Sequence, residues 1–137
     1  MTNCIFCKII KKEIPSLIVY EDKNTLAFLD INPASKGHTL VIPKAHAKTI
    51  DKLKEGDAKS LITSVQKIAK SILSFNEGCN VMQNNNLIAG QVVDHVHFHI
   101  VPRNKNDGLH TGFGRHVEYK DDKEKEDTIK KIKKNIS

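Results

Sequence analysis

The chain has 137 residues, 39% hydrophobic and 28% charged, which fits one globular domain with a real core and excludes a disordered polypeptide. No run approaches the roughly 20 apolar residues of a membrane-spanning helix. Met1-Thr2-Asn3-Cys4 lacks the basic and apolar regions of a secretory signal, so we expect a cytoplasmic protein whose three cysteines are reduced thiols or metal ligands. The net charge of +6 rests on lysine, with Arg103 and Arg115 the only arginines. Acidic residues interleave the lysines and no recognition helix or RNA platform is present, so a solvated surface is expected, with neither nucleic acid nor a membrane as partner.

Residues 4–13, CIFCKIIKKE, set Ile5, Phe6, Ile9 and Ile10 at helical spacing, which predicts one or two turns of helix ending before Pro15. Leu17 to Tyr20 reads as a short strand, Asp22-Lys23-Asn24 as a turn, and Thr25 to Asp30 as a second strand. A loop opens at Asn32-Pro33 and closes at Gly37, and His38 to Ile42 makes a third strand stopped by Pro43. From Asp57 the apolar positions Leu61, Ile62, Val65, Ile68, Ala69, Ile72 and Leu73 predict a long amphipathic helix, with Gly78 as its C-terminal stop. Cys79 to Gln83 is a fourth strand, Asn84 to Gly90 a polar connector, and Gln91 to Pro102 a fifth strand. Cys79 is expected to be packing. Lys120 to Asp127 is nearly all charged, and Ile129, Ile132 and Ile136 then mark a terminal helix on the surface, with His110 and His116 as surface residues. Short links favour antiparallel pairing, so the fold class is α+β: a five-stranded antiparallel sheet, one long helix and a short N-terminal helix.

The chemistry concentrates in His95-Val96-His97-Phe98-His99-Ile100-Val101. Strand alternation sends Val96, Phe98 and Ile100 to the core and lines up His95, His97 and His99 on the opposite face, roughly 7 Å apart. One strand histidine is usually structural. Three in strict alternation suit metal or phosphate chemistry. Cys4-x-x-Cys7 is weaker: half a zinc site, a redox pair and two buried thiols all fit it, although the redox reading needs an upstream strand that the chain does not supply.

The run His-φ-His-φ-His-φ-φ resembles the histidine triad (HIT) family of nucleotide hydrolases and transferases. The likeness extends to Cys4-Ile-Phe-Cys-Lys-Ile-Ile10, Glu13-Ile-Pro15, Phe28-Leu-Asp-Ile-Asn-Pro33, Gly37-His-Thr-Leu-Val-Ile-Pro-Lys44, Ala89-Gly-Gln91 and Val101-Pro-Arg103, and is nearest to the bacterial-type, nucleoside-phosphoramidase-like branch. It implies a HIT domain over residues 1–104 and a charged extension with a terminal helix over 105–137, which is not a separate domain. The resemblance also implies a homodimer with a continuous ten-stranded sheet, and cleavage of a nucleoside 5′-phosphate from an amine or phosphate through a covalent nucleotidyl-histidine. His97 takes the nucleophile's place, since a neutral imidazole attacks well near pH 7. His99 faces the phosphate oxygens and His38 supports the triad. Asn84, Gly90 and Gln91 join His99 on the phosphate side. Asp30 matches the carboxylate that binds the ribose hydroxyls, and Phe6, Ile9, Ile14, Phe28 and Ile31 match the base pocket, although on their own these apolar residues would read as core. The same resemblance implies a structural zinc held by Cys4, Cys7, His46 and His95, a closed Cys₂His₂ set.

Two departures bear on the leaving group: Val92 stands where the branch often has serine or threonine, and Asn84-Asn85-Asn86 replaces a common loop glycine. The sequence thus points to a zinc-containing hydrolase of purine nucleoside 5′-monophosphates linked to an amine. Its rivals are dinucleoside polyphosphate hydrolysis and a nucleotide-binding interaction module with incidental turnover.

Overall fold

The computed structural model describes residues 3–109 and 116–136. Its elements in chain order are α1 (Ile5–Ile10), β1 (Ile18–Glu21), β2 (Thr25–Leu29), β3 (Thr39–Pro43), α2 (Glu55–Leu73), β4 (Gly78–Gln83), β5 (Phe98–Arg103) and α3 (Asp122–Lys134), with single 3₁₀ turns at Ile50–Lys52 and Leu87–Ala89. The five strands form one antiparallel sheet in the order β1-β2-β3-β5-β4. This is the expected α+β architecture, and the strand limits agree with the sequence reading to within a residue or two, β5 excepted.

Every residue of β2 and β3 is buried, because both faces of the sheet are covered. Alternation then divides their side chains. Ala27, Leu29 and Val41 join Leu61, Val65, Ile68 and Ile72 of α2 in the larger core. Leu26, Phe28, Leu40 and Ile42 turn the other way and meet Phe6 and Ile9 of α1. Each fully buried aliphatic side chain contributes about 1.5–3 kcal/mol, so the stripe on α2 is what holds that helix to the sheet. Two buried serines interrupt the stripe without cost: Ser64 Oγ lies 2.7 Å from Thr25 Oγ1, and Ser71 Oγ donates to the Ile132 carbonyl at 2.6 Å.

Three expectations need correction. The long helix is not stopped by Gly78, which is already the first residue of β4; it ends at Leu73, where Ser74 Oγ donates to the Ser71 carbonyl and Asn76 Nδ2 to the Ile72 carbonyl. The fifth strand does not begin at Gln91. Its ladder starts at Phe98, because residues 91–97 follow the irregular chain after β3, with Val96 N–H donating to the Ala47 carbonyl and Gln91 Nε2 to the Lys48 carbonyl. The terminal helix is not a surface appendage: α3 packs on β1 and α2, and Ile132 is 0% exposed within the larger core, flanked by Ile129 and Ile136. Without it, one end of the apolar surface between β1 and α2 would face water. Cys79 packs partly buried against that same core, and burial pushes its thiol pKa up. No helix among the described residues is long and apolar enough to cross a membrane.

Candidate active site and metal centre

Although His95 and His97 precede the ladder, alternation persists through them. Val96, Phe98 and Ile100 enter the α2 side of the sheet, and the three imidazoles emerge on the α1 side. Leu40, which faces α1, lies opposite His99 in the β3–β5 register, so His99 shares that face.

Backbone groups dictate which ring nitrogen carries each proton. His97 Nδ1 lies 2.7 Å from the His95 carbonyl, which can only accept, so Nδ1 is the protonated nitrogen and Nε2 keeps its lone pair. On the other side, the Ala34 N–H donates to His38 Nδ1 at 2.9 Å, leaving the proton on His38 Nε2. That proton is directed at His99 Nδ1, 3.0 Å away, so His99 carries its own proton on Nε2. His97 and His99 therefore present one lone pair and one N–H side by side, with ring centroids 5.0 Å apart. Burial lowers the pKa of His97, opposed by its bond to the His95 carbonyl and by Asp30. Burial, with the His97 and His38 rings, drives His99 down to about 3, and burial also lowers His38, so these rings are neutral near pH 7. The 3.5 Å approach of Asp30 Oδ2 to His38 Nε2 is then an orienting contact between a carboxylate and a neutral ring.

A second group of donors gathers at the start of α1. Cys4 caps that helix, its sulfur accepting from the Cys7 N–H at 3.4 Å, and both thiols meet His46 and His95. His95 Nε2 donates to the Pro43 carbonyl at 2.8 Å, so His95 Nδ1 turns a lone pair inward. Cys4 Sγ–His95 Nδ1 is 3.4 Å, Cys7 Sγ–His46 Nδ1 3.3 Å, Cys7 Sγ–His95 Nδ1 3.7 Å and His46 Nδ1–His95 Nδ1 3.2 Å. Tetrahedral zinc with ordinary bond lengths requires N···N edges of about 3.4 Å and S···N edges of about 3.6 Å. The residues present fit that ion. Asp30, His38 and His99 also cluster, but the Ala34 N–H occupies His38 Nδ1 and forces the proton onto Nε2, so that nitrogen has no lone pair for a metal. The first cluster therefore fits a metal ion, and the second has its protons fixed by its neighbours.

Phe6 lies between cage and triad, its ring edge-to-face with Phe28, His95 and His97 at centroid distances of 5.5, 5.9 and 5.1 Å. Of the residues matched to a base pocket, Phe6, Ile9 and Phe28 are buried in one apolar cluster with Ile14 against it. Ile31 stands apart, 83% exposed, because β2 ends at Leu29 and the chain turns where Asp30 Oδ1 accepts from the Asn32 N–H. Of the residues matched to the phosphate, Gly90 has φ +97, a conformation that favours glycine, and a Cβ there would sit 3.3 Å from Asn84 Nδ2, so that side chain would have to give way. Asn86 holds φ +72, a positive φ that glycine adopts without strain and other residues rarely do. Gln91 is buried with both ends of its amide committed, accepting from Asn86 N–H at 2.6 Å and donating to the Lys48 carbonyl at 2.6 Å; its side chain shapes the loop. Val92 is 84% exposed. His116 lies on the surface as expected, but it bonds the loop after Asp30, a contact that sequence reasoning missed; His110 lies outside the described residues.

Fold and site together define a class: an α+β protein with an imidazole lone pair and an imidazole N–H side by side on one sheet face, next to a cluster of two cysteines and two histidines that fits a metal ion. The HIT domain matches residues 11–106. The adenosine 5′-monophosphoramidase hnt1 of Schizosaccharomyces pombe is 49% identical over 112 residues, covering 81% of this chain and 83% of that protein. A crystal structure of a HIT-like protein from Bartonella henselae aligns with TM-score 0.86 at 38% identity, over 98% of this chain and 97% of that one. A zinc-bound histidine triad family protein from Mycobacterium smegmatis also aligns at 0.86, with 30% identity, over 98% and 94%. The chain belongs to the HIT family, and its kinship is with members that act as nucleotide hydrolases.

Proposed function

We propose that the protein cleaves a nucleoside 5′-monophosphate, with a purine base, from an amine or phosphate leaving group through a nucleotidyl-His97 intermediate. The observation that carries this reading is the 2.7 Å bond from His97 Nδ1–H to the His95 carbonyl, which leaves Nε2 as a fixed, unprotonated nucleophile. Nε2 attacks the α-phosphorus as the bond to the leaving group breaks, the departing amine or phosphate taking the electron pair and a proton from solvent. His99 Nε2–H, held by His38, donates to a phosphoryl oxygen as charge develops, and water then attacks the phosphorus and releases His97. Asn84 and the backbone at Gly90 complete the phosphate side. Asp30 takes the ribose hydroxyls, and Phe6, Ile9, Ile14 and Phe28 receive the base.

Zinc, held by Cys4, Cys7, His46 and His95, acts structurally. A closed Cys₂His₂ set has no open position for substrate, and the ion ties α1, with Phe6 on it, to the chain leading into the triad. The HIT domain ends near residue 104 in this reading, and 105–137 is its extension. The protein is a cytoplasmic homodimer, joined through edge strand β4, whose Val81 is exposed. Steady-state turnover of an adenosine phosphoramidate and of a diadenosine polyphosphate, measured side by side, tests the reading. Preference for the phosphoramidate agrees with it. Preference for the polyphosphate assigns the rival reaction, and binding without turnover of either leaves an interaction module.

A further inference from the structure

Residues 30–38 begin with Asp30 and end with His38, so one loop carries both a nucleoside contact and the support of the triad. The loop is closed internally: Asp30 N–H donates to the His38 carbonyl at 2.9 Å, and the Ala34 N–H that sets the His38 tautomer lies between them. Four contacts reach it from the segment that follows the HIT match. His116 Nδ1–H donates to the Asn32 carbonyl at 2.9 Å, and Val117 N–H to the Pro33 carbonyl at 2.8 Å. The Gly37 N–H donates to Tyr119 Oη at 2.8 Å, and Lys36 pairs with Glu124 at 2.9 Å. Three of these act on backbone, at positions flanking Ala34 on both sides. Gly37 takes φ +94, and a Cβ there would lie 3.2 Å from Pro102 Cγ, so the loop follows a path that favours glycine at this point.

We infer that residues 116–124 are a positioning strap for the nucleoside site, with His116 and Tyr119 as its working side chains. A tail that merely covered apolar surface would need only α3 and its isoleucines. This one also donates to two successive loop carbonyls and accepts from a loop amide, which fixes the path of the chain through Ala34. The strap therefore acts on two groups at a distance: it holds the Asp30 carboxylate toward the ribose and keeps the His38 Nε2 proton directed at His99. Neither His116 nor Tyr119 touches the reacting atoms. This role rests on the nucleotide hydrolase reading for its substrate, but not for its effect on the histidines.

The test uses the full chain carrying His116→Ala with Tyr119→Phe, and Ile136→Ala as a control that loosens α3 without touching the loop. Ring ¹⁵N spectra read the His38 and His99 tautomers in the absence of nucleotide, and calorimetry gives Kd for AMP and 2′-deoxy-AMP. In the strap variant we expect His38 to show mixed tautomers, AMP affinity to fall about tenfold, and the ribo-over-deoxy preference to shrink at least about threefold. Because His38 sets the His99 N–H that meets the phosphoryl oxygen, saturating single-turnover rates should fall as well, in step with the share of His38 in the wrong tautomer. The control should lower Tm and leave tautomers and preference as in wild type. Unchanged ring spectra and an unchanged preference in the strap variant, whatever its Tm, would overturn the inference. Altered His38 spectra in a protein whose wild type does not distinguish AMP from its deoxy analogue would uphold the strap and count instead against the nucleoside reading of Asp30.

Discussion

Lowering the pH from 7.5 to 5 should destabilise the protein through His99, by an amount that follows from its surroundings. The ring is largely buried beside His97 and His38, and its pKa is about 3 against an ordinary value near 6.5. A group depressed in this way adds no penalty above its unfolded pKa. As pH falls below 6.5 the unfolded chain takes up a proton that the folded chain refuses, so stability drops until the folded pKa is reached. At pH 5 that gap is about 1.5 pH units, or about 2 kcal/mol. Burial shifts His38 in the same direction, so the whole protein should lose more than this. Urea denaturation at both pH values, on wild type and His99→Gln, isolates the single ring, because other titrations largely cancel in the difference. The wild type should lose about 2 kcal/mol more than the variant, roughly a 1 M shift in midpoint for a urea m-value near 2 kcal/mol/M. Equal acid losses in the two proteins would show that His99 is not held neutral by burial, and would remove the basis for treating it as a neutral N–H donor.

Asp30→Ala should weaken ribonucleotide binding roughly ten- to hundredfold, while the 2′-deoxynucleotide loses little more in the variant; losses that simply add would show that the carboxylate does not read that hydroxyl. Cys7→Ser should lower bound zinc and Tm together, the loss of folding stability being about 4 kcal/mol where free zinc stood a thousandfold above Kd, whereas wild-type protein with less than about 0.2 zinc per chain and no response to a chelator would refute the cage. Ile132→Ala should cost about 2–5 kcal/mol because the side chain is fully buried, and a cost below about 1 kcal/mol would return α3 to the surface.

The triad was legible in sequence because its periodicity is local. Val96 and Ile100 are fully buried on one side and the imidazoles stand on the other, even where the ladder has not yet begun. The cysteine–histidine group could be suspected only through resemblance, since Cys7 and His46 are 39 positions apart and no short-range spacing joins them. The apolar residues matched to a base pocket were half legible: Phe6, Ile9 and Phe28 follow helix and strand periods into one cluster, while Ile31 lies past the end of its strand and turns to solvent. Least visible were the tail contacts. Gly37 meets Tyr119 across 82 positions, and His116 meets Asn32 across 84, so nothing near either residue signals its partner. The isoleucine spacing of α3 was the available hint, and its narrow stripe amid many lysines looked too weak to be core. The helix docks because β1 and α2 supply the rest of that apolar surface.

If His97 is the nucleophile, its Nε2 forms a bond to the nucleotide during turnover. The measurement that tests it most directly is peptide mass spectrometry of protein quenched during turnover of an adenosine phosphoramidate, with digestion kept above neutral pH because a phosphorus–imidazole bond is labile in acid. Wild type should carry one AMP on the peptide that contains His97, with fragmentation placing it on that residue. His97→Ala should carry none, and its kcat should fall by about 10³ or more with AMP binding largely retained. Nucleotide on a different residue, or near-normal turnover by His97→Ala, would contradict the account.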